Sequence, residues 1–179
     1  DFVARNSDFQ DFCKRISDLV VEKKINNIDH IDEIIMNDSS LKVKDELTSM
    51  ISKVGENLVI KRLKFIGDDG IYIQKYIHNS ANEDSGKIGV ILCYSCTGNT
   101  VDQKSLAKNI CMHIAATDPK SLTSDDLDDV MVDRERNIYL EQMKDSGKPQ
   151  EIVEKIIVGK INKFYEDVCL MEQFFVMEN

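Results

Sequence analysis

The chain has 179 residues, 42% hydrophobic and 31% charged, with 23 Lys and Arg against 32 Asp and Glu for a formal net charge of -9. No run approaches the roughly 18 apolar residues that a membrane span needs, and the sequence as given opens on no basic, apolar, small-residue leader. The acidic balance opposes the counterion release that drives nucleic-acid affinity, and five cysteines, an odd number in a chain long enough to bury a core, argue for reduced thiols. The expectation is a soluble chain of one domain or two small ones that contacts neither nucleic acid nor membrane.

The opening stretch "DFVARNSDFQDFCKRIS" reads as a helix start. Ser7 with Gln10 three residues on has the form of a capping box, and Phe9, Phe12, Ile16, Leu19 and Val20 then recur at helical spacing as one buried stripe. Phe2 stands ahead of that cap, either in an extra turn or on an exposed elbow. "IDHIDEIIMN" is a short helical turn, and "SLKVKDELTSMISKVGEN" is a helix stopped by Gly55. The period then changes to two: "LVIKRLKFI", "IYIQKYIH" and "KIGVILCYS" read as three strands, separated by "GDDG" and "NSANEDSG" turns. On the second, His78 shares a face with Tyr72, Gln74 and Tyr76, opposite Ile71, Ile73 and Ile77.

Helix returns with "VDQKSLAKNICMHIAATD", stopped by Pro119. At about 100° per residue, Leu106, Ile110 and Ile114 define its buried face, His113 lies near Leu106, and Met112 points outward with Lys108 and Ala115. "SDDLDDVMVDRERNIYLEQMKD" follows with Ser124 as cap and acidic residues in its first turn. "SGKP" closes it, with Gly147 suited to a left-handed stop and Pro149 to the first position of a second helix. So short a turn implies an antiparallel pair from about Leu127 to Phe164. "EDVCLMEQFFVMEN" returns to strand-like residues. A faint repeat between "KIGVILCYSCTGNTVDQKSLAKNICMHI" and the opening stretch suggests a strand ending just before Asp1, which would make Asp1 and Phe2 the elbow between strand and helix.

Cys93 and Cys96 form C-x-x-C, with Cys111 and His113 downstream, a set of types able to ligate zinc or run redox chemistry. Two residues two apart on a helix point about 200° apart, which argues against one four-ligand site. "CTGNTVDQ" places a loop where a thioredoxin-like motif would start its helix. Nothing has the form of a phosphate-binding loop, a nucleophile with its base, or paired catalytic carboxylates. The many Asp and Glu read as solvated helix faces, so neither bond chemistry nor a cofactor is expected.

In order, "DFVARN", "VGEN", "YIH" before "IGV", "CMHIAATDPK", "SGKPQEIVEKIIVGKINKFYEDVCL" and "FFVMEN" resemble the elongation factor Ts family, in its core dimerisation region, over essentially the whole chain. That resemblance implies an α+β fold of two subdomains of antiparallel sheet packed with helices, plus a projecting antiparallel helical hairpin. The halves would be residues 1–68 and 69–179, with the hairpin at about 127–164. It implies a guanine nucleotide exchange factor that binds the GTPase elongation factor Tu and promotes GDP release. Phe2 would enter a pocket of the nucleotide domain, with Asp1 fixing the contact. Val54, Gly55 and His78 would form a platform for a helix of the GTPase, and Met112 a secondary docking position. A non-catalytic scaffold is the alternative. The family's N-terminal helical domain, the strand before Asp1 and the segment completing the second sheet are not in this sequence. The expected setting is a bacterial cytoplasm, with an organellar matrix as the alternative; the oligomeric state, a dimer included, stays open.

Overall fold

The computed structural model describes residues 2–67, 71–97 and 100–177. It is α+β, with helices and one two-stranded antiparallel sheet among the described residues. The chain groups into two compact units, Asp1–Gly98 and Asn99–Asn179. The first takes in the sheet, where the sequence reading divides at 68/69.

In the first unit, α1 spans Ser7–Lys23. Its cap is Asn6 and not Ser7: the Asn6 side-chain oxygen accepts from the amides of Asp8 and Phe9 at 2.9 and 3.2 Å. The Asn6 backbone is extended (φ -69°, ψ 127°), so its short amide reaches over the first turn and Ser7 is already helical. Gln10, expected to close a box with Ser7, instead donates to the Ala4 carbonyl at 2.9 Å. Phe12, Ile16, Leu19 and Val20 are buried as the spacing predicts, and with Ile31, Met36 and Val43 they form the core of the unit. Leu19 and Val43 are wholly inaccessible, and each such side chain stabilises the fold by about 1.5–3 kcal/mol.

Ile31 comes from a 3-10 turn, Ile28–Glu33, and Val43 opens α2, Val43–Val54. One cation ties these pieces together. Arg15 of α1 reaches Asp38 at 2.9 Å and both oxygens of Glu46 on α2 at 3.2 and 3.3 Å, while Ser39 donates to Glu46 at 2.7 Å. Hydrogen bonds from Arg15 hold the Asp38 and Glu46 carboxyls below their usual range. Lys42 and Lys44 hold Glu33 down to about 2.

Residues 58–66, expected as a strand, form none. Burial still alternates there, and Ile60, Leu63 and Phe65 pack against the helical core. A strand needs a ladder partner as well as alternation, and none pairs with this segment among the described residues; the Phe65 amide goes to the Asn26 side chain at 3.2 Å. Of the "GDDG" turn, residues 68–70 lie outside the described residues.

The other two expected strands pair as β1, Tyr72–Ser80, and β2, Gly86–Tyr94, with Tyr72 opposite Tyr94, Tyr76 opposite Val90 and His78 opposite Ile88. The Asn82 side chain organises the turn, accepting from the amides of Asp84 and Ser85 at 2.8 and 2.7 Å. At Gly86 a Cβ would stand 2.5 Å from the Ile77 side chain and 2.9 Å from the His78 carbonyl. Only glycine lets the strands approach this closely where the hairpin closes.

In the second unit, α3 spans Thr100–Thr117. Its buried face is not the one read from the angles: Leu106 is 54% exposed, while Ala107, Cys111 and His113 are buried and Ile110 and Ile114 half-buried. This helix is apolar around much of its circumference, so spacing alone does not select one stripe. A 3-10 turn at Ser124–Asp126 is capped by Thr123, whose hydroxyl meets Asp126 at 2.6 Å. α4, Asp129–Met143, is capped by Asp128 rather than Ser124, its carboxylate accepting from the Val130 amide at 2.9 Å. α5 spans Gln150–Val168, with Pro149 at its cap, one position before the one expected.

Residues 169–177, expected as strand-like, contribute among the described residues only an isolated parallel bridge between Ser121 and Cys169. The amides of Leu170 and Met171 donate to Ser121 and Leu122, and the chain then turns. Residues 178–179 lie outside the described residues.

The Arg15 cluster fixes the sign of a pH dependence. Carboxyls depressed in the folded state add stability above their unfolded values of about 4, and that stability is lost as pH falls through the folded values. The thermal midpoint should therefore fall as pH drops below roughly 4.5. Glu46→Gln should lower it at pH 7 and flatten the acid dependence, as followed by circular dichroism; an identical pH profile would show that the cluster does not hold α1 to α2.

Candidate functional site

Phe2 is 88% exposed. It has helical backbone angles and leads into a 3-10 turn, Val3–Arg5, whose Arg5 amide donates to the Phe2 carbonyl at 3.1 Å. Asn6 follows, donating its amide to Val3 while its side chain caps α1, and Gln10 reaches back to Ala4. The backbone behind the ring is thus tied down at three places, whereas the ring itself is in solvent. Asp1 lies outside the described residues.

Val54 is the half-buried last residue of α2, and Gly55 follows at φ 73°, exposed, its amide donating to Ile51 at 2.9 Å. A Cβ at Gly55 would meet nothing within 4 Å. Glycine is therefore required by the left-handed backbone and not by space. Lys53, beside them, pairs with Asp8 in the first turn of α1 at 2.7 Å, which brings the end of α2 to the start of α1.

His78 is exposed on β1 and hydrogen-bonded at 3.1 Å through Nδ1 to the Tyr76 hydroxyl, whose ring centre is 6.1 Å away. The next residues, Asn79 and Ser80, line a cleft of about 670 Å³ together with Ala4, Arg5 and Phe9. The elbow carrying Phe2, the end of α2 carrying Val54 and Gly55, and the closed end of the hairpin beyond His78 therefore lie together at one end of the first unit. One exposed ring, a left-handed glycine and an exposed imidazole are thus grouped on this surface.

Met112 belongs to the second unit, half-buried on α3. Its neighbour His113 is the more informative residue. It is 2% exposed, with Nε2 at 3.1 Å from the Gln173 side-chain oxygen and Nδ1 accepting from the Val176 amide at 3.3 Å. Phe175 lies against its ring at 5.5 Å, and Thr117 also reaches Gln173 at 2.9 Å. This holds 173–176 on α3 while Phe174 stays 88% exposed. The angular reading put His113 near the buried side but gave it no role; the signal was a run of four apolar residues, "FFVM", with no partner strand.

Of the cysteines, Cys93 sits on β2, Cys96 just beyond it, and Cys111 is buried in α3; none is in a disulfide. Burial raises the Cys13 thiol above its usual value. Among the described residues no three of His, Cys, Asp and Glu gather as metal ligands, and no helix is long and apolar enough to cross a membrane.

The contrast between two phenylalanines on the same segment is measurable. Phe12→Ala, at 3% exposure, should cost roughly 3–5 kcal/mol in chemical denaturation. Phe2→Ala should stay within about 0.5 kcal/mol of the parent, and a loss of several kcal/mol there would place the ring in the core.

A family model described as Elongation factor TS matches residues 1–179. The chain is 39% identical over 178 residues to Elongation factor Ts of Caulobacter vibrioides, covering 99% of this chain and 56% of that protein. It is 38% identical over 177 residues to Elongation factor Ts of Paracoccus denitrificans and 35% over 178 to that of Allorhizobium ampelinum, in both cases over 99% of this chain and 57% of the relative. The chain thus spans a little over half the length of the curated relatives it matches. Its sequence matches the family from end to end, and the chain belongs to the elongation factor Ts family.

Proposed function

We propose that the chain binds elongation factor Tu and promotes GDP release during translation elongation, as an exchange factor that makes and breaks no covalent bonds and uses no cofactor. The observation that carries this reading is Phe2, a large apolar ring kept 88% exposed on a tethered elbow. An aromatic ring with two rotatable bonds loses little entropy on entering a pocket, and a fixed backbone directs it there.

Nucleotide on a GTPase is held by phosphate-loop amides and by Mg²⁺ bridging phosphate and protein. A factor releases it by binding better to a conformation in which those contacts are disturbed. Phe2 acts as the wedge and Asp1 fixes its contact, while Val54, Gly55 and His78 receive a helix of the GTPase. Met112 provides a secondary contact. The same reading gives the chain the family's two-subdomain plan, halves at 1–68 and 69–179, and an antiparallel hairpin at about 127–164. Supporting the hairpin, Lys160 of α5 meets Gln142 of α4 at 3.0 Å and covers the Tyr139 ring at 4.7 Å. The setting is a bacterial cytoplasm.

The test is the rate of GDP release from elongation factor Tu, followed by a fluorescent nucleotide, with and without the chain. Release should accelerate, and Phe2→Ala should slow the accelerated rate by at least about thirtyfold, as loss of a hot spot of roughly 2 kcal/mol implies. Binding without acceleration would leave a scaffold, and neither would overturn the reading.

A further inference from the structure

An exposed histidine at a strand end would ordinarily turn its ring freely, and three features of β1 oppose that at His78. Its backbone is paired opposite Ile88, and its carbonyl lies so near Gly86 that a Cβ there would stand 2.9 Å from the oxygen. Asn79, the next residue, is at φ 50°, a left-handed conformation that asparagine adopts more readily than most residues, so the chain bends directly after the imidazole. Tyr76, two residues back and therefore on the same face, is half-buried opposite the buried Val90. Its hydroxyl lies 3.1 Å from Nδ1 of His78, with the two ring centres 6.1 Å apart. Nε2 of the same ring takes part in no hydrogen bond or ion pair among the described residues.

We infer that Tyr76 is a positioning residue for His78: its hydroxyl donates to Nδ1 and so leaves Nε2–H as the donor that His78 offers to an acceptor oxygen of the GTPase; the inference rests on the platform role given to His78 above. A neutral imidazole has one N–H and one bare nitrogen, so a partner at Nδ1 decides what Nε2 presents. Two arrangements fit the 3.1 Å separation. Phenol is a proton donor with a pKa of about 10, and the bare nitrogen of an imidazole of pKa about 6.5 is the more basic acceptor of the two, so the bond runs from Oη–H to nitrogen. The reverse arrangement would ask the weakly basic phenol oxygen to accept and would show the GTPase a bare nitrogen instead. With the half-buried tyrosine as its base, the imidazole is ordered before the partner arrives, which lessens the entropy that a loose side chain loses on binding. The position of one hydroxyl thereby selects an acceptor, a carbonyl or carboxylate oxygen, as the group His78 recognises.

The experiment has two arms at pH about 8, where the imidazole is neutral. Nitrogen-15 NMR of the free chain reads the tautomer directly, without the GTPase. His78 of the parent should show Nε2 protonated and Nδ1 bare, and Tyr76→Phe, which removes only the hydroxyl, should move it toward a mixture of both forms. The second arm measures binding to nucleotide-free elongation factor Tu for the parent, Tyr76→Phe, His78→Ala and the double variant. All four should share one thermal midpoint, since the hydroxyl and the imidazole bond each other at the surface. Tyr76→Phe should weaken binding about fivefold, the scale of one hydrogen bond, and should cost nothing further once His78→Ala is present. Nδ1–H as the main form in the parent, or a tautomer unchanged by Tyr76→Phe, would overturn the inference. Parent-like affinity in Tyr76→Phe, or an equal loss in the His78→Ala background, would overturn it too, and both leave the exchange reading intact. A His78→Ala chain that binds like the parent removes the platform role and this inference together, with exchange again untouched. A parent chain that fails to bind overturns the exchange reading and the inference with it.

Discussion

The Asn6 cap is the interaction on which the candidate surface depends. Its side-chain oxygen satisfies the Asp8 and Phe9 amides, two of the donors that a helix start otherwise leaves open, for a gain of about 1 kcal/mol. The larger consequence is geometric. With the first turn of α1 fixed, the 3-10 turn at Val3–Arg5 has a rigid base, and the Gln10 bond to Ala4 closes it from the other side. Leaving Phe2 in water forgoes about 2–3 kcal/mol of burial. A mobile terminus would let the ring fold back onto apolar surface to recover it; a tethered elbow does not. Stability is provided separately, by the Leu19 and Val43 core and by Arg15 bridging α1 to α2.

Much of this was legible in the sequence where local chemistry decides structure. The α1 stripe is buried from Phe12 to Val20, with Phe9 at its start half-buried, because one face carries nearly all the apolar residues, and Gly55 stops α2 because a left-handed residue is needed there. The two strands flanking "NSANEDSG" pair because turn chemistry brings adjacent strands together. The Ser7 reading missed by one residue, since Asn6 and Ser7 are both good caps and periodicity does not resolve single positions.

Where structure depends on distant partners, the reading failed. Residues 58–66 have the right alternation, yet their apolar side chains pack on helices and their amides find no neighbouring strand among the described residues. On α3, Leu106 is a larger apolar side chain than Ala107, but Ala107 is the one buried; tertiary packing, not hydrophobicity, chose the face. Residues 169–177 look like a strand by composition and are held instead by side chains, chiefly Gln173 against His113 and Thr117. That His113 lies buried with both ring nitrogens engaged could not be read from spacing. Of the candidate surface, Gly55 and the position of Phe2 ahead of a cap were readable. The cleft beside Arg5 was not, because it forms between segments some 75 residues apart.

An exchange factor works by preferring one state of its partner, so its affinity must depend on what the partner carries. Coupling between two ligands is reciprocal: if the chain weakens GDP, GDP weakens the chain by the same factor. The most direct measurement is the affinity of the chain for elongation factor Tu at zero and at saturating GDP, by calorimetry under one set of buffer conditions. Affinity should fall at least fivefold on saturation, in line with coupling free energies of roughly 1–3 kcal/mol. The same affinity in both conditions would contradict exchange, even with binding confirmed.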